Sequence, residues 1–224
     1  MALENEHGRL IAAAAKAALS PIGCLRSRQS RVWLSDQRYW AIMIEFQPSG
    51  FSKGSYLNVG ASWLWQEKSN GALNFNVGCR VEGSGFIPFE SAEQFRPLIE
   101  RMALQAAEAV LALRAKFPSI AAVSRYLNPR PNMEPIYSFH AAVAAGLNCE
   151  FEVAHRIFEW IKSCAIEDDR QMRLHSEAAA LAALLDDPAQ FRSAVRRTID
   201  IRRTQARLPP IADCLEGLGP CAAQ

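Results

Sequence analysis

Glu152-Val153-Ala154-His155 sets a carboxylate and an imidazole three residues apart. At that spacing a helix presents both on one face, as di-iron bundles do. Such a centre needs a second copy of the pair and two further glutamates. Tyr137 and Met172 stand where those glutamates would precede His140 and His175, so the set is incomplete. The pair reads as a solvated helix face beside Glu159. The loop Gly50-Phe51-Ser52-Lys53-Gly54-Ser55 holds the ingredients of a phosphate cradle. It lacks the Gly-Lys-Ser/Thr order and runs into a strand, so no helix N-terminus faces an anion there. Gly83-Ser84-Gly85 fails on the same ground, with Ile87-Pro88 following.

No Gly-x-Ser-x-Gly elbow occurs, and no cysteine has neighbours that would activate it. Cys24, Cys79, Cys149, Cys164, Cys214 and Cys221 include no Cys-x-x-Cys pair and no short-spaced Cys/His quartet, which argues against structural zinc. A disulfide framework is not expected in a chain this long without an export signal. Several of these cysteines read as small buried hydrophobes. The expectation is a protein without catalytic residues, metal or cofactor.

Two surfaces remain. If the strands pair as a meander, Glu45, Gln47, Asn58, Ser62, Arg80 and Glu82 share the face opposite the aromatic core. Carboxylates near an arginine could hold a polar ligand or do acid–base work, although every alternating strand has a polar side. In the last helix Arg192, Arg196, Arg203 and Arg207 fall in one stripe beside Phe191, Val195 and Ile199. Such a stripe suits phosphate or carboxylate. No aromatic interleaving accompanies it, so nucleic acid is not expected. Intramolecular pairing with Asp186, Asp187 or Glu167-Asp168-Asp169 is the preferred reading. Cys221-Ala222-Ala223-Gln224 formally fits a prenylation box, but the Ala- and Arg-rich composition looks bacterial, where that lipidation is not expected.

These residues need elements to position them. A helix is expected over 3–19, ended by Ser20-Pro21 and Gly23. Strands follow at Val32-Trp33-Leu34, Tyr39 to Gln47, Tyr56 to Trp65 and Asn74 to Glu82. Trp40, Ile42, Ile44 and Phe46 alternate on one face, as do Leu57, Val59, Ala61, Trp63 and Trp65. In the last strand Phe75, Val77, Cys79 and Val81 are expected inward. Ser91 with Gln94 caps a covering helix that runs to Lys116. A short helix over 120–127 precedes the Pro-rich run 128–135, the strongest linker signal. Helices then follow to Arg207, with turns at Gly146-Leu147-Asn148, Glu167-Asp168-Asp169 and Asp186-Asp187-Pro188.

The expected class is α+β: an antiparallel sheet of about four strands flanked by helices, then a helical-hairpin region. The expected division is a sheet domain over 1–117, a short helix and linker over 118–135, hairpins over 136–207 and a flexible tail over 208–224. A weak repeat at a shift of about 38 residues superposes Ala141, Ala144, Leu147, Val153, Ile157 and Ile161 on Ala179, Ala182, Leu185, Phe191, Val195 and Ile199.

With 224 residues, half of them hydrophobic, the chain can bury a real core. A net charge of +2 provides no global field to recruit nucleic acid or membrane. The apolar run Ile11 to Ala15 follows Glu4 and Glu6 and is broken by Lys16, unlike a signal h-region. A cytoplasmic location is the resulting expectation.

The segments Glu45-Phe46-Gln47-Pro48-Ser49, Lys53-Gly54-Ser55-Tyr56-Leu57-Asn58-Val59-Gly60 and Trp63-Leu64-Trp65 resemble part of an uncharacterised bacterial domain-of-unknown-function family, over roughly the first half of the chain. That family implies a helix preceding an antiparallel sheet and brings no catalytic residues. The later helix pairs are similar to tetratricopeptide-type hairpins without the aromatic signature positions. The functional expectation is a non-catalytic protein-interaction module of toxin-neutralising or regulatory kind. The alternative is a small enzyme or polar-ligand binder that uses the polar sheet face.

Overall fold

The computed structural model describes residues 6–28, 30–67, 72–128 and 134–219. Among them the chain forms an antiparallel sheet of six strands and seven α-helices, six of which follow the sheet. The α+β class stands. Two of the strands span two residues each, too short to carry a periodic signal. Two compact units divide the chain: Met1–Trp63 with Ala72–Ala115, and Leu64–Gly71 with Lys116–Gln224. The second thus includes a piece of sequence expected inside the first.

In the first unit β1 (Leu25–Arg26), β2 (Val32–Asp36), β3 (Trp40–Gln47), β4 (Gly54–Trp63) and β5 (Val77–Arg80) pair in sequence order. The last strand, β6 (Ile87–Pro88), pairs with the start of β4. The β3–β4 register places Trp40 opposite Trp63, Ile42 opposite Ala61, Ile44 opposite Val59 and Phe46 opposite Leu57. All eight side chains are buried. Period-2 alternation thereby becomes one apolar layer, in which the rings of Trp40 and Trp63 lie 5.6 Å apart.

Helices α1 (Glu6–Leu19) and α2 (Ala92–Lys116) complete this unit. Ser91 Oγ accepts the amide of Gln94 at 3.2 Å, which satisfies one first-turn donor. At the other end Arg114 donates to Ser35 Oγ at 2.8 Å and to the Ile22 carbonyl at 2.7 Å. Ser35 pairs with Ile42 and therefore shares its face, so α2 lies on the apolar side of the sheet.

Two strand expectations are corrected here. β4 stops at Trp63, and Trp65 belongs to the helical unit instead of continuing the apolar face. β5 is only four residues long, and Cys79 is exposed, not inward. Gly78 adopts φ +80°, a left-handed value that interrupts the alternation. Residues 74–76 consequently cross the opposite face. A Cβ on Gly60 would stand 2.9 Å from Phe75 Cδ1, Asn74 N–H donates to Ser62 Oγ, and Asn76 Oδ1 accepts Trp63 N–H.

In the second unit α3 (Ile120–Leu127), α4 (Pro135–Leu147), α5 (Phe151–Ser163), α6 (Asp169–Ala182) and α7 (Pro188–Ala206) begin at the expected turns. Ser119, Asp168 and Asp187 cap α3, α6 and α7. Every residue of α4 from Ser138 to Leu147 is buried, as befits a helix apolar all round. Gly146 lets α7 approach it, since a Cβ there would meet Phe191 Cζ at 2.5 Å.

Of the positions that the weak sequence repeat superposes, Ile157, Ile161, Val195 and Ile199 are all buried. The first helices differ. Ala141 and Ala144 are buried, whereas Ala179 is exposed and α6 buries Leu174 and Ala178. Residues 129–133 of the Pro-rich run lie outside the described residues, as do 220–224 with Cys221. No helix among the described residues is long and apolar enough to cross a membrane.

Candidate functional site

On the sheet, β3, β4 and β5 bring Glu45, Gln47, Asn58 and Arg80 together. Asn58 Nδ2 donates to Glu45 Oε2 at 2.9 Å and to Gln47 Oε1 at 3.1 Å. Gln47 Oε1 also accepts from Arg80 at 3.0 Å, and that guanidinium stacks 4.0 Å over the Tyr56 ring. Glu45 and Arg80 are thus bridged through amides. Ser62 stands apart, bonded to Asn74 N–H. Glu82, exposed beyond the end of β5, joins none of these bonds. The face expected to be outward is largely closed, with Asn58 only 3% and Ser62 only 1% exposed. Asn58 Oδ1 is buried without a hydrogen-bond partner.

The arginine stripe of α7 turns to its own chain. Arg192 donates to the Gly219 carbonyl at 2.6 Å, Arg196 to that of Ala212 at 2.8 Å and Arg203 to that of Pro209 at 2.8 Å. Arg196 also lies 3.7 Å from Asp200 and 3.8 Å from Asp213. Arg207 ends the helix in the left-handed region. The acceptors are mainly backbone carbonyls, not the acidic clusters proposed from the sequence. Residues 208–219, expected as a flexible tail, are the strap these arginines hold, and Leu208, Cys214 and Leu215 in it are buried. Burial, then the charge of Asp200, pushes the Cys214 thiol up to about 12.

Cys149, in the turn after α4, is disulfide-bonded, although no disulfide framework is expected from the sequence. Local spacing could not foretell it, because folding and not sequence proximity brings half-cystines together. Glu152 and His155 are both exposed on α5, as a solvated face would be. Among the described residues no group of three or more His, Cys, Asp or Glu could hold a metal ion.

A third place was not found from the sequence. Between α6 and α7 opens a groove of about 310 Å³ with Trp65 and Phe139 among its lining residues. Leu181, Leu184 and Ile201 give it apolar sides, while Glu67, Glu177 and Arg197 bring charge to it. Trp65 and Phe139 are each 1% exposed, but Ile201 is 51% exposed. Trp65 Nε1 donates to His140 Nδ1 at 3.1 Å, and because indole only donates, His140 accepts there. The available sequence signal was Ile201, an apolar residue off the Phe191-Val195-Ile199 line. No family model, curated protein or solved structure matches this chain.

Proposed function

We propose that the protein is a non-catalytic interaction module and that the α6–α7 groove receives an apolar side chain of a protein partner. The groove itself carries this reading: Ile201 is half-exposed beside a recess reaching buried Trp65 and Phe139. Recessed aromatic pockets with polar margins are where interface anchors seat. Glu67, Glu177 and Arg197 would set the partner's orientation. The partner's role would be the regulatory or toxin-neutralising one expected from the sequence.

A photo-crosslinking residue in place of Ile201 should capture a discrete partner in cells, and one in place of Leu104 on α2 should not. Ile201→Glu should abolish recovery of that partner by the untagged groove. Equal capture at both positions would refute the assignment.

The polar-ligand reading keeps one specific support, the buried Asn58 Oδ1 that lacks a donor. A ligand N–H or O–H would satisfy it. A small polar ligand that raises thermal stability in the wild type but not in Asn58→Leu would favour that alternative.

A further inference from the structure

Antiparallel pairing gathers several loops at one end of the sheet: the β1–β2 turn with Arg31, the β3–β4 loop with Lys53, and Phe89 just after β6. His7, in the first turn of α1, joins them, its ring 5.6 Å from that of Phe89. Arg31 donates to the Gly54 carbonyl at 3.1 Å and approaches His7 Nε2 at 2.7 Å. A guanidinium has only donors, so His7 must be neutral and accept through Nε2. Its proton then sits on Nδ1, and that N–H is buried with no acceptor. Burial, and then the charges of Arg31 and Lys53, lower the His7 pKa, in keeping with the neutral ring. No carboxylate lies within ion-pair distance of His7, Arg31 or Lys53 among the described residues. Arg31 keeps further N–H groups without an acceptor. The cluster is rich in donors and short of anions.

We propose that Arg31 and Lys53, with His7 beside them, bind a phosphate-type oxyanion at this end of the sheet. The phosphate loop weighed in the sequence contributes its lysine, but the loop backbone and a helix N-terminus do not form the cradle. A guanidinium fork and a mobile ammonium form it instead. The same chemistry is met by a free phosphate or by a lipid headgroup, and fully exposed Phe51 beside Lys53 makes the second source accessible.

The test follows the His7 ring signals by NMR at neutral pH and low salt while inorganic phosphate is added. A parallel arm measures co-sedimentation with vesicles containing phosphatidylglycerol. The wild type should show a saturable shift, weakened about tenfold in Lys53→Gln and unchanged in Lys16→Gln, whose residue lies at the other end of α1. Exposed Lys53 makes that variant safe for folding, whatever becomes of Arg31→Gln. A response to phosphate assigns a free ligand. Vesicle binding alone, lost in both Lys53→Gln and Phe51→Ser, assigns a lipid-borne one. No response in either arm, or equal responses in Lys53→Gln and Lys16→Gln, would overturn the site.

Discussion

The indole N–H of Trp65 points at His140 Nδ1 across 3.1 Å, joining the residue two places after β4 to helix α4. Both side chains are buried. Trp65→Phe keeps most of the ring and removes the donor, so it should cost about 1–2 kcal/mol. Trp65→Ala should cost about 3–5 kcal/mol and empty part of the groove. Urea denaturation of the two variants checks both figures. A loss below about 1 kcal/mol for Trp65→Ala would mean that the ring is not part of the helical core.

Gly146 is fixed by the ring of Phe191, which leaves no room for a methyl group. Gly146→Ala should destabilise the protein by about 1–3 kcal/mol through overpacking, despite alanine's better helix propensity. Combining it with Phe191→Leu should recover part of that loss. A double-mutant cycle with no coupling between the two would contradict the contact.

The α7 arginines should separate by burial. Arg203 is 4% exposed and bonded to the strap, whereas Arg207 is exposed at the helix end. Arg203→Gln should cost about 1–3 kcal/mol and Arg207→Gln less than about 0.5 kcal/mol. The wild type should not bind nucleic acid even at low salt. Binding with a log–log salt slope of about −0.7 to −0.9 per phosphate, flattened in an Arg192/Arg196 double glutamine variant, would reverse that view.

Among the free thiols Cys79 is exposed, while Cys24 and Cys214 are buried. A maleimide titration should therefore label Cys79 first, and Cys24 and Cys214 only on unfolding. The pKa of Cys214 rises from 9.0 to about 12 in the fold, so the unfolded chain loses this proton first. Its contribution to stability should hold below about pH 9 and fall as pH rises from there towards 12. Cys214→Ala should flatten that alkaline slope in thermal denaturation. An unchanged slope would show that the thiol titrates normally.

The Asn58 hub gives the sheet a signature of its own. Asn58→Asp replaces a donor to Glu45 with a second carboxylate. The variant should lose stability progressively as pH rises through the carboxylate range, by about 1–3 kcal/mol at neutrality. A pH-independent loss would place the Glu45 carboxylate away from position 58.

Long periodic segments were legible in the sequence. The Trp40–Phe46 alternation, the Ser91 cap and the Asp168 and Asp187 starts all express local rules that tertiary contacts reinforce. Phe75 was misplaced because one left-handed glycine, Gly78, breaks the count that parity arguments require. Trp65 was misplaced because its alternation with Trp63 outlasts the strand. The stripe on α7 was legible as a stripe, but its carbonyl acceptors come from a segment whose composition resembles a tail. The groove was invisible because residues from four separate stretches build it.

The passage of Leu64–Gly71 into the second unit matters to a chain emerging from a ribosome. Synthesis delivers Trp65 long before α4, α6 and α7 exist to receive it, so a large apolar ring must wait in the open while the sheet assembles. The first unit can close only around a gap in its own sequence, and the second completes itself with material made earlier. Stopping the chain near residue 117, at the boundary the sequence suggests, would therefore not release a finished half; it would release one still carrying its neighbour's tryptophan.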